Sequence, residues 1–310
     1  MAGTTTTAQM NRVNAREIDF VSRFNNNWDA LKNILGITNT IKKNAGTKLV
    51  SYKASMVDSA LQTTTTEGAE IPFTQFKVDP VAHEDIVVEK YAKSVSVEAV
   101  AKYGASIAVQ KTDDQFLVEL QSKVLDAFYT FLNTGSLVGT QKTWQRCLAI
   151  AKGSVLEKFA EMNKSVTDVV GFANIMDAYD YLGDANISVQ TAFGIQYVKD
   201  FMGYSTLFLL PDSKIEAGTV IATPVENIDL YYIDPSDSDF AELGLQYTVN
   251  GDTNLIGFHA EGDYSRASGD VFALMGMKLW AEYLDGIAVV SLGESNSKPV
   301  APTPEDESVG

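Results

Sequence analysis

The stretch Thr112–Gly135, TDDQFLVELQSKVLDAFYTFLNTG, constrains the fold more than any other part of the chain. Leu117, Leu120, Val124, Phe128 and Phe131 recur at three- and four-residue steps, the spacing of one helical face, and Val118, Leu125 and Leu132 widen that face. Thr112 stands at the N-cap position, Gln115 completes a capping-box spacing, and Asp113 and Asp114 put negative charge on the first turn. Asn133 and Gly135 supply the stop. At 1.5 Å per residue such a helix is roughly 30 Å long, about the diameter of a small domain. Burying its five large side chains contributes on the order of 10 kcal/mol before conformational entropy is subtracted. It therefore needs a sheet or other helices laid along it, and taken alone it reads as a core helix.

The 310 residues are enough for one large domain or two moderate ones, and 45% apolar with 21% charged residues places the chain among globular proteins. No apolar run approaches the eighteen or so residues of a membrane span, and MAGTTTTAQMNRVNAREID has no apolar signal segment. The expected setting is the cytoplasm, or a particle assembled there. Cys147 is the single cysteine, which excludes an internal disulfide and a multi-cysteine metal site. Net charge is −16, unevenly spread. Residues 1–53 carry eight Lys/Arg and three acids, a net of +5, leaving the rest at −21. An acidic body argues against wrapping nucleic acid with its own surface. A basic arm on an acidic body fits an arm laid on acidic neighbours or on something anionic in an assembly, and equally a solvated tail.

Along the chain, residues 1–13 are polar and read as mobile. Asn14–Gly36 reads as an amphipathic helix with Ile18, Val21, Phe24, Trp28, Leu31 and Leu35 on one face. Thr47–Asp79 reads as a long two-stranded excursion with little core of its own, which requires docking on another surface. Ile86–Ala99 alternates as a half-buried strand, and Val100–Gln110 as a short helical turn. Past the long helix, Gly135–Thr143 reads as a linker and Trp144–Met162 as a helix. Val166–Phe172 reads as a strand, Ile175–Gly183 as a helix with Met176, Tyr179 and Leu182 on one face, and Gly194–Gly203 as a short helix. Thr206–Leu210, Gly218–Thr223 and Ile228–Ile233 read as strands, and the mixed short elements between Gly135 and Pro224 suggest a separate α/β lobe. Asp234–Asn254 is acidic and turn-rich. Strands at Leu255–Ala260, Val271–Tyr283 and Gly286–Leu292 follow, before a Pro-, Ser- and acid-rich tail with the composition of disorder.

Motifs that carry chemistry are missing. His83 and His259 have no sequence-local metal-binding partner, and there is no nucleophile elbow, phosphate-binding loop or dinucleotide fingerprint. Asp234, Asp237 and Asp239 lack the spacing of a calcium loop and read as a solvated acidic turn. His259 reads as a strand-end histidine rather than a base. No catalytic, cofactor or metal residue is assigned, no cofactor is expected, and the chain is not expected to be an enzyme.

The order of segments carries a resemblance. EGAEIPFTQFKV precedes KSVSVEAVAKYG and the helix DQFLVELQSKVLDAFYTFLNTG. ANISVQTAFGIQYVKDFMGYSTLFL, AGTVIATPVENIDLYYIDPSDSDF and TNLIGFHAEGDYSRASGDVFALMGMKLWAEYLDGIAVV follow. Over roughly 46–292 the chain resembles the major capsid proteins of tailed bacteriophages, the Hong Kong 97-type fold, and looks closest to those of phages infecting Gram-positive bacteria. The resemblance implies an α+β fold with an N-terminal arm at 1–46 and an extended E-loop hairpin at 47–88. A P-domain at 89–135 and 228–292 would hold the long helix as its spine, an A-domain would span 136–227, and 293–310 would be a disordered tail. It implies inter-subunit contacts through the E-loop, represented by Thr63, Thr65, Glu67 and Glu70, and through P-loop residues Asp234, Asp237 and Arg266.

Function follows from the same resemblance. Copies would assemble as pentamers and hexamers into an icosahedral head enclosing double-stranded DNA without binding it specifically, in the host cytoplasm and with no membrane. A separate scaffolding protein, a portal and decoration proteins are the implied partners, since only about 45 residues precede the hairpin. Some members crosslink an E-loop lysine to an asparagine; Lys48, Lys53 and Lys77 lie in or beside the hairpin, but none matches that site. An encapsulin-like compartment shares the fold and would use an N-terminal helix to hold cargo. An unrelated enzyme built on Asp234, Asp237 and His259 would require those groups to converge.

Overall fold

A 29-residue helix, α1 (Thr7–Leu35), leads to a short strand, β1 (Asn39–Lys43). The strands β2 (Val50–Met56), β3 (Phe76–Ala82) and β4 (Val88–Ser96) come next. A short helix, α2 (Val97–Tyr103), and a π-helical turn (Ser106–Lys111) run into α3 (Thr112–Leu132). β5 (Leu137–Gln141), α4 (Trp144–Glu161), β6 (Val169–Asn174) and α5 (Ile175–Leu182) follow. Then come β7 (Gln190–Ala192), β8 (Ile195–Phe201), β9 (Tyr204–Leu210), β10 (Thr219–Pro224) and β11 (Ile228–Ile233). A one-turn helix, α6 (Ser238–Glu242), precedes β12 (Ile256–Asp263), β13 (Ser268–Ala281) and β14 (Ala288–Leu292). The structure is a computed structural model and describes residues 7–35, 39–44, 50–58, 62–67, 70, 72–82, 85–183, 189–192, 195–249, 254–281 and 283–293.

These strands make three sheets. The first runs β1-β11-β13-β12, with β4 also on β13; the 14-residue β13 is long enough to pair with β4 and β12 along one half and with β11 along the other. The second, seven-stranded, runs β5-β14-β10-β6-β9-β8-β7. The third is β2 with β3 alone, in antiparallel register from Val50↔Ala82 to Met56↔Phe76.

The period-two alternation of strands shows how the seven-stranded sheet is covered on both faces. Val170, Phe172, Phe208 and Leu210 face the core that contains α1, α3 and the first sheet. Their neighbours Val169, Ala173, Leu207 and Leu209 face a second core built on α4 through Trp144, Cys147, Leu148, Ala151 and Val155. This explains why β6 and β10 are buried at every position. The C-terminal half of α3 reaches this sheet, where Phe128 and Tyr129 meet Phe172 edge-on. The lobe expected to be separate thus shares one core with the rest.

The face of α3 matches its periodicity, with Leu117, Leu120, Val124, Phe128 and Leu132 buried, but Val118 lies on the solvent side. Its start differs from the expected cap. The π-helical turn feeds directly into it, so the Thr112 amide is not an orphan, and the Thr112 hydroxyl donates back to the carbonyls of Ala108 and Val109 at 2.8 and 2.9 Å. Gln115 donates to Glu119 instead of closing a capping box. Gly135 serves a close approach rather than a helix stop: a Cβ there would lie 2.6 Å from the Ile287 side chain.

Other elements depart from the expected reading. The helix at the N-terminus starts seven residues earlier than its periodicity suggested and turns Ile18 outward, burying Glu17, Phe20, Val21, Phe24 and Trp28. The strand expected to run to Ala99 ends at Ser96, whose hydroxyl accepts from the Ala99 amide and caps α2. Part of the expected linker is β5, parallel to β14, because the sheet needs an edge there. The expected helix at 194–203 is β8, with Tyr197 and Val198 both buried between layers. Met176 and Tyr179 of α5 are exposed rather than forming an inward face. Two strands cross the expected domain limits: β1 pairs into the first sheet on β11, and β14 lies in the seven-stranded sheet. The terminus expected to be mobile over 1–13 is helical from Thr7, while residues 1–6, the glycine stop at 36 and the tail at 294–310 lie outside the described residues.

Candidate assembly surfaces

The described side chains of the β2–β3 hairpin and its loop are mostly exposed. Its loop is tied at the base, where Val57 donates to the Gln75 carbonyl and Gln75 to the Asp58 carboxylate, both at 2.9 Å. Further out, the Gln62 amide donates to the Thr74 hydroxyl at 2.9 Å. Among the described residues the hairpin shares no sheet with the body. Phe73 is 89% exposed, Phe76 63% and Val78 60%. Thr63, Thr65, Glu67 and Glu70 all lie exposed on the loop between the strands. Lys77 pairs with Asp79 of the same strand at 2.9 Å. Lys48 lies outside the described residues. Pro80 is tolerated because a two-stranded ribbon leaves one edge without ladder bonds.

The basic N-terminal segment shows the opposite behaviour. Arg16 donates through Nε and Nη2 to both carboxylate oxygens of Asp113, each at 2.7 Å, a two-pronged pair that matches the planar guanidinium fork. Lys93 of β4 reaches the same carboxylate at 2.5 Å. Arg23 donates to Asp114 at 2.8 Å. The two acids at the start of α3 therefore serve α1 rather than the helix dipole. Burial pushes the Asp113 carboxyl up, but Arg16 and Lys93 outweigh it and hold it below the ordinary range. Burial pushes the Lys93 ammonium down despite that partner.

One anchor had no sequence signal. Glu17, 4% exposed, accepts from the Ala260 backbone N–H of edge strand β12 and from the Thr248 hydroxyl, both at 2.6 Å. A helix carboxylate thus satisfies a strand edge that would otherwise offer its amide to another chain. Phe20 stacks on Phe258 of the same strand at 4.1 Å between ring centroids. Only the fold brings position 17 to position 260.

The other expected contact residues divide. Asp234 is buried within its own chain, accepting from Lys42 at 2.9 Å, from the Ser236 amide and hydroxyl, and from Asn254 at 3.2 Å. Burial raises its carboxyl, but these donors hold it below the ordinary value, and Asp234 in turn raises the Lys42 ammonium. It locks the β1–β11 end and offers no free oxygen outward. Asp237 caps α6 by accepting from the Asp239 amide at 3.2 Å and is partly exposed. Arg266 sits in the turn between β12 and β13 with its side chain 78% exposed, 3.5 Å from Asp263. Next to it, Tyr264 is 97% exposed.

The groups required by an enzyme do not converge. Asp234 and Asp237 have the local partners just described, and His259 Nδ1 lies 3.5 Å from Glu17. Three clefts of 660, 570 and 630 Å³ are lined by other residues. Among the described residues no three His, Cys, Asp or Glu side chains are grouped to hold a metal, and His83 is not among them. Burial pushes the Cys147 thiol up to about 11, as expected of a packing residue.

No family model and no curated protein matches the sequence. Solved structures do match. The subunit in the asymmetric unit of the bacteriophage PhiM1 mature capsid is similar at a TM-score of 0.54 and 7% identity, over 85% of this chain and 87% of that one. Gordonia phage Cozz gives a TM-score of 0.52 at 9% identity, over 84% and 86% of the two chains. The encapsulin of the holo-SrpI complex from Synechococcus elongatus gives a TM-score of 0.48 at 12% identity, over 84% and 86% of the two chains. With its α+β arrangement of projecting hairpin, long helix and two sheets around a common core, the chain has the Hong Kong 97-type fold of tailed-phage capsid proteins.

Proposed function

We propose that the chain is a structural shell subunit, the major capsid protein of a tailed bacteriophage. Copies assemble as pentamers and hexamers into an icosahedral head that encloses double-stranded DNA. The observation that carries this reading is the hairpin. An extended ribbon with Phe73, Phe76 and Val78 in water has no stable resting place on its own body and gains one on a neighbouring copy. On this reading β2–β3 is the E-loop, α3 is the spine of the P-domain, and most of the seven-stranded sheet belongs to the A-domain. Thr63, Thr65, Glu67 and Glu70 meet a neighbour through the E-loop, and Asp237 and Arg266 through loops of the P-domain, while Asp234 stays within its own subunit.

The partners follow from the same reading: a separate scaffolding protein, a portal and decoration proteins, with assembly in the host cytoplasm. DNA is enclosed without specific recognition, which the acidic composition favours. A second reading, an encapsulin-like compartment, draws on α1, a long helix laid against the body of its own chain. Negative-stain microscopy of the purified protein is expected to show closed shells or capsomers, with nuclease-protected DNA in shells from infected cells. A bound cargo enzyme in place of DNA would favour the second reading, and a protein that stays monomeric at all concentrations would end both.

A further inference from the structure

Two surface patches are left unmatched within the chain, and they are complementary. The first lies at the far end of the β12–β13 ribbon. There the Val97 amide donates to the Ala267 carbonyl at 3.0 Å, placing the start of α2 against the 264–267 turn. α2 buries no residue, and Tyr103, Ile107 and Tyr264 are more than half exposed. Lys102 lies over the Tyr103 ring, Lys111 ends the π-helical turn that carries Ile107, and Arg266 belongs to the 264–267 turn itself. The nearby acids are turned largely to local use: the Asp263 carboxylate accepts from Ser265 and lies 3.5 Å from the exposed Arg266, and that of Glu98 accepts from its own amide and Ser96.

The second patch is the 234–249 loop, which holds four acids and no Lys or Arg. Asp234 is consumed by Lys42, leaving Asp237, Asp239 and Glu242 beside Leu243, 74% exposed, and Leu245, 44% exposed. Among the described residues, Lys102, Lys111, Asp239 and Glu242 form no salt bridge. The loop meets β12 at Thr248, opposite Phe258, five strand residues from Asp263 and so about 17 Å from the turn. The two patches are thus rooted at opposite ends of β12.

We infer that the apolar, basic patch of α2 and the 264–267 turn docks on the acidic, leucine-bearing 234–249 loop of a second copy. Tyr103, Ile107 and Tyr264 cover Leu243 and Leu245, while the three cations face the carboxylates. Because the two halves are different surfaces of one chain, the contact is heterologous: each copy gives one half and receives the other, and the series closes into a ring or a shell. It rests on the shell-forming reading and names one contact that holds such a shell together. Opposite charge also favours correct encounter and penalises like-to-like pairing of either patch.

The test is a charge exchange. One variant carries Lys102→Glu, Lys111→Glu and Arg266→Glu, a second carries Asp239→Lys and Glu242→Lys, and a third carries all five. Each is compared with the unaltered chain by circular dichroism, melting, gradient sedimentation and negative-stain microscopy. The single-sided variants are expected to fold and to lose closed particles by about ten-fold or more, and the combined variant to recover most of the loss. Unimpaired single-sided variants, or a folded combined variant as defective as they are, would overturn the contact. If the unaltered chain forms only small oligomers and these respond to the same exchange, the contact holds and the shell reading fails. A chain that is always monomeric overturns both. Should a charge variant fail to fold, Tyr103→Cys with Leu243→Cys in the otherwise unaltered chain decides the matter, since Cys147 is fully buried. Assembled protein carrying both is expected to give an oxidised ladder of linked chains, and assembled protein without one would reject the contact.

Discussion

The N-terminal helix and the hairpin that follows it pose the same problem and solve it differently. Both project from the start of the chain, and both carry large apolar side chains. α1 buries Phe20, Val21, Phe24 and Trp28 against its own body, and three of its charged residues are matched there too: Arg16 by Asp113, Arg23 by Asp114, Glu17 by Ala260 and Thr248. Among the described residues the hairpin has no such set. Its ladder closes only on itself, and Phe73, Phe76 and Val78 remain in water. A segment belongs to its own subunit when its polar groups find partners there as well as its apolar ones. Where only the ladder is satisfied, the surface is left for another chain.

The largest expected effect tests the buried side of this comparison. Phe24→Asp in α1 and Phe128→Asp in α3 each bury an unpaired charge, and neither variant is expected to give soluble folded protein. Recovery of assembled Phe128→Asp protein would show that this face is not core. On the hairpin side, deletion of residues 59–70, or Phe73→Ser alone, is expected to leave a monomer with unchanged circular dichroism and melting but no closed shells. Normal shells from either variant would remove the hairpin from the assembly contacts.

Smaller effects concern the ion pairs. Arg16→Ala takes a two-pronged donor from the buried Asp113 carboxylate, and denaturant melts are expected to show a loss of about 1.5–3 kcal/mol. The folded chain holds the carboxyls of Asp113 and Asp234 below their ordinary value, so in acid the unfolded chain binds more protons. Their contribution is complete above pH ~4 and is lost as pH falls through the lower folded values. The hairpin deletion is expected to follow the same acid profile, because neither carboxylate touches it; a separate acid transition would sink that view. Lys77→Ala breaks only an exposed pair within the hairpin and is expected to change stability by less than about 0.5 kcal/mol.

Much of this was legible in the sequence. The three- and four-residue steps from Leu117 to Leu132 mark a helix whose inward face is right at five of its positions, and the mixed, Pro-bracketed FTQFKV run marks a ribbon with little core. Val118, Ile18 and Met176 were misplaced because periodicity gives the spacing of a face and not its width. Gly194–Gly203 was misread because a strand buried between two layers has no alternation to show, and β5 because a Gly- and Thr-bearing edge strand resembles a linker. Of the candidate contact residues, Thr63, Thr65, Glu67, Glu70 and Arg266 lie exposed, whereas Asp234 is held by Lys42, 192 positions away.

The sequence by itself determined the long helix, the excursion before it, the lack of catalytic motifs and the division of charge between the first 53 residues and the rest. These are local properties, fixed by spacing, composition and short-range sterics. Only the tertiary structure decided where the charges go. Arg16 and Arg23 cross to α3, Glu17 crosses 243 positions to close the edge of β12, and β14 crosses into the seven-stranded sheet. Such pairings depend on which surfaces the chain brings together. Desolvation makes an unmatched buried charge or amide costly, so the positions that must be matched are set by burial, which no local pattern records.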